Sequence, residues 1–123
     1  MMKIAGRGIR PKRNKYGNKI TTIGDKTFDS KAEANYYLIL VDKKTKGEIL
    51  DFELQPVFLL QEKFRKNGKG FRKIEYKADF KVIHLDGKEE IIDVKGVKTK
   101  EFSIKWKLFE YKYPDLSLTL IEK

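Results

Sequence analysis

Ile74-Glu75-Tyr76-Lys77-Ala78-Asp79-Phe80-Lys81-Val82-Ile83-His84, a Leu85-Asp86-Gly87 loop, and Lys88-Glu89-Glu90-Ile91-Ile92-Asp93-Val94-Lys95 together decide the fold. The first run alternates strictly. Tyr76, Ala78, Phe80 and Val82 turn one way and Glu75, Lys77, Asp79 and Lys81 the other, the period of a half-buried strand. From Glu89 to Lys95 the second run puts Ile91, Asp93 and Lys95 on one face and Ile92 and Val94 on the other. A three-residue loop with Gly87 in the left-handed conformation pairs His84 with Lys88. That register sets Asp79 opposite Asp93, with both side chains on one face. Adjacent carboxylates repel, and a carboxylate and an ammonium on an apolar strand are costly to bury without a purpose. A divalent cation beside a water that attacks a phosphodiester would supply that purpose. The competing reading is an ion pair among Asp79, Asp93 and Lys95 with no catalysis.

Working outward, Ser30-Lys31-Ala32-Glu33 fits a capping box and opens a helix with Ala34, Tyr37, Leu38 and Val41 on its inward stripe. Gly47 closes it as the carboxy-terminal cap. The segment from Ile49 to Phe64 reads as extended, with Pro56 at a bend or an edge, and Asn67-Gly68-Lys69-Gly70 as a turn. A second helix spans about Thr99 to Tyr113. Its stripe is Phe102, Trp106, Phe109 and Tyr113, widened by Ile104, Leu108 and Tyr111, and Pro114 stops it. Leu116 to Ile121 reads as a last strand, and Lys19 to Phe28 as a small hairpin about Gly24-Asp25. The order helix, three strands, helix, strand predicts a mixed α/β or α+β core with helices packed on a central sheet. Residues 1–18 read as a flexible basic arm and residues 19–123 as a single domain.

The charge is uneven. The chain has 123 residues and a net charge of +10. Its first twenty residues hold Lys3, Arg7, Arg10, Lys12, Arg13, Lys15 and Lys19 and no acidic residue. A near-balanced domain with a basic arm points to a polyanionic partner such as nucleic acid. The plainer alternative is a solvated tail. With no cysteine there is no disulfide framework and no cysteine-based zinc site. The longest apolar run, Tyr36 to Val41, is far short of a membrane span, and no apolar segment follows the basic amino terminus as in a secretory signal. A cytoplasmic protein with no membrane partner is the expectation.

Four motifs in order, Phe28-Asp29-Ser30-Lys31-Ala32-Glu33-Ala34, Leu54-Gln55-Pro56, Tyr76-Lys77-Ala78-Asp79-Phe80 and Asp93-Val94-Lys95-Gly96, resemble the PD-(D/E)XK nuclease superfamily. Within it the chain is similar to small phage-encoded proteins that resemble Holliday-junction resolvases and the endonuclease subunits of some transposases. The resemblance implies a restriction-endonuclease-like core, with a helix-borne Glu33, Asp79 on the second core strand, and Asp93 and Lys95 on the third lining one cleft. Asp93 stands where many members have Glu, which shortens the ligand's reach. Asp79 would be the central ligand of Mg2+, with Mn2+ able to substitute. Asp93 and the Val94 carbonyl would join it, and Glu33 directly or through a water. Lys95 would orient the attacking water or stabilise transition-state charge.

Other residues carry two readings each. Glu33 either completes the capping box or enters the site. Gln55 either supports the cleft or satisfies the bend at Pro56, and the lone His84 reads as structural or exposed. Lys98, Lys100 and Lys105 suit phosphates flanking a scissile bond, whereas Lys112 reads as a solvated helix face. Lys12, Arg13 and Lys15 suit sequence-independent phosphate binding.

The functional expectation is therefore a metal-dependent DNA endonuclease, structure-selective for branched DNA such as a Holliday junction, in phage recombination or DNA processing. Symmetric junction cutting would call for a homodimer. The alternatives are a non-catalytic phage DNA-binding or packaging factor, and an endonuclease subunit active only with phage or host recombination proteins.

Overall fold

The computed structural model describes residues 20–122. They hold two helices and ten short strands in an α+β arrangement. The chain divides into two compact units, one ending at Ile39 and the other beginning at Leu40.

In the first unit β1 (Thr21–Ile23) and β2 (Lys26–Phe28) form the expected hairpin, turning at Gly24 with φ of 61°. Helix α1 (Lys31–Thr45) begins there, and the Ser30 hydroxyl accepts from the Glu33 amide at 3.1 Å, one half of the capping box. The helix runs on into the second unit and ends in a Schellman arrangement. The Gly47 amide bonds the Lys44 carbonyl and the Glu48 amide the Lys43 carbonyl, with Gly47 at φ of 76°. The inward stripe is rotated from the expected one. Glu33, Ala34 and Leu40 are buried, while Leu38 and Val41 are exposed. Glu33 and Leu40 are two helical turns apart, so the acidic residue lies in the buried stripe.

In the second unit a four-stranded mixed sheet runs in the order β10-β9-β8-β3. Its members are β3 (Asp51–Leu54), β8 (Phe80–Ile83), β9 (Glu89–Lys95) and β10 (Ser117–Glu122). Strand β9 pairs parallel with β10 and antiparallel with β8. Between β9 and β10 the chain crosses over through α2 (Lys100–Lys112), capped by the Thr99 hydroxyl, which accepts from the Phe102 amide at 3.0 Å.

The run from Ile74 to His84 is not the single strand expected. It breaks at Ala78-Asp79 into β7 (Ile74–Lys77) and β8, which belong to different sheets. Strand β7 pairs with β4 (Val57–Gln61), and β8 pairs with β3 and β9. The break has a partner in the facing chain at Gln55-Pro56. Two residues on each side separate Leu54↔Phe80 from Val57↔Lys77, so the register crosses the break without a slip. Two backbone bonds hold it, from the Gln55 amide to the Asp79 carbonyl at 2.9 Å and from the Ala78 amide to the Pro56 carbonyl at 3.0 Å. Pro56 cannot donate to a ladder, and Gln55 takes a positive φ of 52°, so both strands bend together. The expected single face does not survive the bend: Tyr76, Ala78, Phe80 and Val82 are all buried, but Tyr76 and Ala78 pack with Ile91 in one cluster while Phe80 pairs with Ile92 on the other face of β9.

One core cluster joins Leu60, Tyr76, Ala78, Ile91, Phe102 and Phe109. The Phe109 ring meets Tyr76 edge-on at 5.6 Å and Phe58 at 5.0 Å, and the Tyr113 hydroxyl bonds the Leu59 carbonyl at 2.8 Å. These contacts seat α2 on β4 and β7. The expected stripe of Phe102, Trp106, Phe109 and Tyr113 is the packed one. Ile104, Leu108 and Tyr111 do not widen it and are exposed, Tyr111 at 89%. They flank the stripe at angles that a single contact surface does not reach.

Candidate metal and phosphate site

Asp79 and Asp93 converge because of the loop between their strands. Gly87 has φ of 88°, its amide bonds the His84 carbonyl at 2.9 Å, and the His84 amide bonds the Lys88 carbonyl at 2.8 Å. From that loop β8 and β9 pair Ile83↔Glu89 through Phe80↔Ile92, and the Asp79 amide bonds the Ile92 carbonyl at 3.1 Å. Asp79 therefore follows the last ladder pair, opposite Asp93, at the bend where the strand leaves the sheet. The Asp79 Oδ2 atom accepts from the Val94 amide at 2.7 Å, which ties this carboxylate to the backbone beside Asp93.

Asp93 is 1% exposed, the deepest charged side chain among the described residues. Its Oδ2 atom accepts from the Tyr76 hydroxyl and lies 3.6 Å from the Lys95 ammonium. Burial, then the charge and hydrogen bond of Asp93, then the charge of Asp79, push the Tyr76 hydroxyl well above the usual phenol range, so it stays a donor. Lys95 is partly exposed, and its ammonium sits 4.6 Å from the centroid of the Phe102 ring. Ile91, Asp93 and Lys95 thus share the face that meets α2.

Tyr76 is the residue that the sequence reading missed as a partner of the site. It lay in the quoted motif, but strand alternation placed it opposite Asp79 and not beside Asp93. The bend at Ala78-Asp79 brings the two together. Glu122 was missed as well. It pairs with Lys95 in the parallel ladder, and Lys95, Gly96, Lys98 and Glu122 line an open polar pocket of about 270 Å³.

The remaining candidates fall in several places. Gln55 acts through its backbone, bonding the Asp79 carbonyl. Glu33 is buried in the first turn of α1, and the structure describes it within its own unit. Lys98 and Lys100 are exposed at the entry to α2, whereas Lys105 is 3.2 Å from Glu101 in an i,i+4 ion pair. His84 bonds Glu90 at 2.8 Å at the loop end of β8 and β9. Lys12, Arg13 and Lys15 lie outside the described residues.

Among the described residues no group of three or more His, Cys, Asp or Glu side chains is placed to hold a metal. The residues that could hold one are the two carboxylates, Asp79 and Asp93, with the Val94 carbonyl. Mg2+ fits such a set, since it keeps several waters and is commonly held by one or two carboxylates plus substrate phosphates. The repulsion between the carboxylates is also relieved by the Tyr76 hydroxyl, the Val94 amide and Lys95. No helix among the described residues is long and apolar enough to cross a membrane.

Neither a search of curated proteins nor one of solved structures gives a match. A family model matches residues 13–123, nearly the whole chain, and the chain belongs to that family, described as protein of unknown function (DUF1064).

Proposed function

We propose that the chain is a metal-dependent DNA endonuclease of the PD-(D/E)XK superfamily. One observation carries the reading most: Asp79, held at a strand bend by the Val94 amide, lies across from Asp93, which pairs with a partly exposed lysine that lines a polar pocket. A protein that only bound phosphates would gain nothing from carboxylates held beside that lysine, since they repel the ligand. Asp79 and Asp93, with the Val94 carbonyl, would hold Mg2+ or Mn2+. The bound cation would lower the pKa of a water and offset charge on the phosphate. Lys95 would orient that water as its oxygen bonds to phosphorus and the bond to the leaving oxygen breaks. Its place over the Phe102 ring limits the directions the ammonium takes. Tyr76 would hold the Asp93 carboxylate in position. Glu33 enters on the resemblance alone. Branched DNA is the proposed substrate.

The test is cleavage of a labelled four-way junction and a matched duplex with Mg2+, comparing wild type with Asp79→Ala and Lys95→Ala. Cleavage that requires the metal, Asp79 and Lys95 supports the reading, and a junction preference supports a resolvase. A second reading is a non-catalytic DNA-binding factor, favoured by carboxylates already satisfied by protein donors. Under it the wild type binds both DNAs in Mg2+ and Mn2+ and cuts neither, alone or with recombination proteins added.

A further inference from the structure

The long hairpin that carries Tyr76 and Asp79 continues well past the core. Beyond a bulge at Leu60 the register resumes at Gln61↔Ile74, and two residues on each side lead to a ribbon of β5 (Phe64–Lys66) and β6 (Lys69–Phe71). Asn67 and Gly68, with φ of 52° and 75°, close it in a two-residue turn of the type that matches strand twist. Every residue of both strands is exposed.

From Lys63 to Lys73 this ribbon carries six basic residues and no acidic one. Lys66 and Lys69 face each other across the strands, an arrangement that destabilises a ladder. Among the described residues neither makes an ion pair, and neither do Lys63, Arg65 or Arg72. Beside that pair the exposed rings of Phe64 and Phe71 stack at 4.7 Å and 11°, with the Lys69 ammonium 5.2 Å from the Phe71 centroid. On the opposite face the Arg65 guanidinium lies across Gly70, within ordinary contact distance of where a side-chain carbon would sit, and donates to the Gly68 carbonyl at 3.0 Å. The rings and the turn stiffen the ribbon, and the uncompensated cations cluster at its tip.

We infer that this ribbon is a DNA-docking arm that seats its tip against the phosphates of a duplex. A two-stranded ribbon is of a size that a DNA groove of about 12 Å admits. The inference rests on the nucleic-acid reading above and adds where the duplex is held. Phe71 is eight residues from Asp79, at most about 27 Å along the strand. The arm therefore meets phosphates within roughly one helical turn of the bond at Asp79, since a turn is about 34 Å. Lysines also guard exposed strands against edge pairing, but either sign of charge does that. Only docking on phosphate needs cations.

Charge reversal separates the two. Binding of a labelled duplex is measured by anisotropy in EDTA, so that cutting plays no part. The chains compared are wild type, Lys66→Glu/Lys69→Glu, and Lys107→Glu/Lys112→Glu as a control with the same change in net charge. The ribbon variant should keep the wild-type thermal midpoint and solubility, and bind at least about tenfold more weakly. Lys66→Ala/Lys69→Ala should reduce the slope of log K against log salt by about 2. Equal losses in ribbon and control variants overturn the inference, as does unchanged binding or a wild type that does not bind. A wild type that binds through the ribbon but never cuts leaves the arm standing and removes the nuclease.

Discussion

Tyr76 joins the core to the candidate site, with its ring against Phe109 and its hydroxyl on a carboxylate buried from water. Tyr76→Phe keeps the ring and deletes a hydrogen bond to a charged acceptor, which costs about 1.5–3 kcal/mol. Urea unfolding should show that loss, and the proposed cleavage should fall more than DNA binding does. Glu90 shows the opposite balance. Burial raises its carboxyl, but hydrogen bonds from Thr119 and His84, with the charges of His84 and Lys43, outweigh it, so the folded group titrates below its ordinary 4.5. A depressed folded value means the stabilisation is complete above 4.5 and is lost as pH falls through the folded value. The thermal midpoint of wild type should therefore exceed that of Glu90→Gln near about pH 6, and the gap should close toward about pH 3. The juxtaposition of Asp79, Asp93 and Lys95 was legible, because the Gly87 loop fixes the register and unlike charges on the apolar β9 stand out against its period. The Tyr76 contact was not, because it depends on a bend that the alternation does not record.

At the scale of elements, turns and caps matched their sequence signals most closely. Gly47 and Gly87 take positive φ where the chain reverses, and Ser30 caps α1 one residue ahead of its first turn, as Thr99, read as the first residue of α2, does there. Gly87→Ala meets no atom within 4 Å, so its cost is backbone conformation alone, about 1–3 kcal/mol. Because that loop sets the register between Asp79 and Asp93, the same variant should lower cleavage beyond its effect on stability. Gln55→Gly makes the complementary test at the facing bend. It relieves a positive φ while keeping the amide that bonds Asp79. Unchanged stability and unchanged cleavage are expected, and lost cleavage in a folded chain would assign the Gln55 side chain to the site. The exposed Ile104, Leu108 and Tyr111 show the limit of helical periodicity. It marks which residues lie near a stripe, while the width of the stripe that is covered depends on the neighbouring strands.

For the whole molecule, a net charge of +10 and an uncompensated ribbon suit the proposed binding to phosphates. Duplex affinity should fall by about tenfold or more between roughly 50 and 200 mM salt, and EDTA should abolish cutting while leaving this binding intact. Salt-independent binding would argue against a phosphate-driven interaction. By itself the sequence determined the two helices, the caps at Ser30 and Gly47, the Gly87 loop and the register that sets Asp79 across from Asp93. Each of these follows from side-chain period or backbone conformation within a few residues. Only the tertiary structure decided that the first strand breaks between two sheets, that Tyr76 reaches Asp93, that Glu122 lies beside Lys95 and that Glu33 is buried. It alone left the basic ribbon standing clear of the core. These outcomes depend on residues distant in the chain competing for the same apolar surface, and a local pattern cannot express which of them wins.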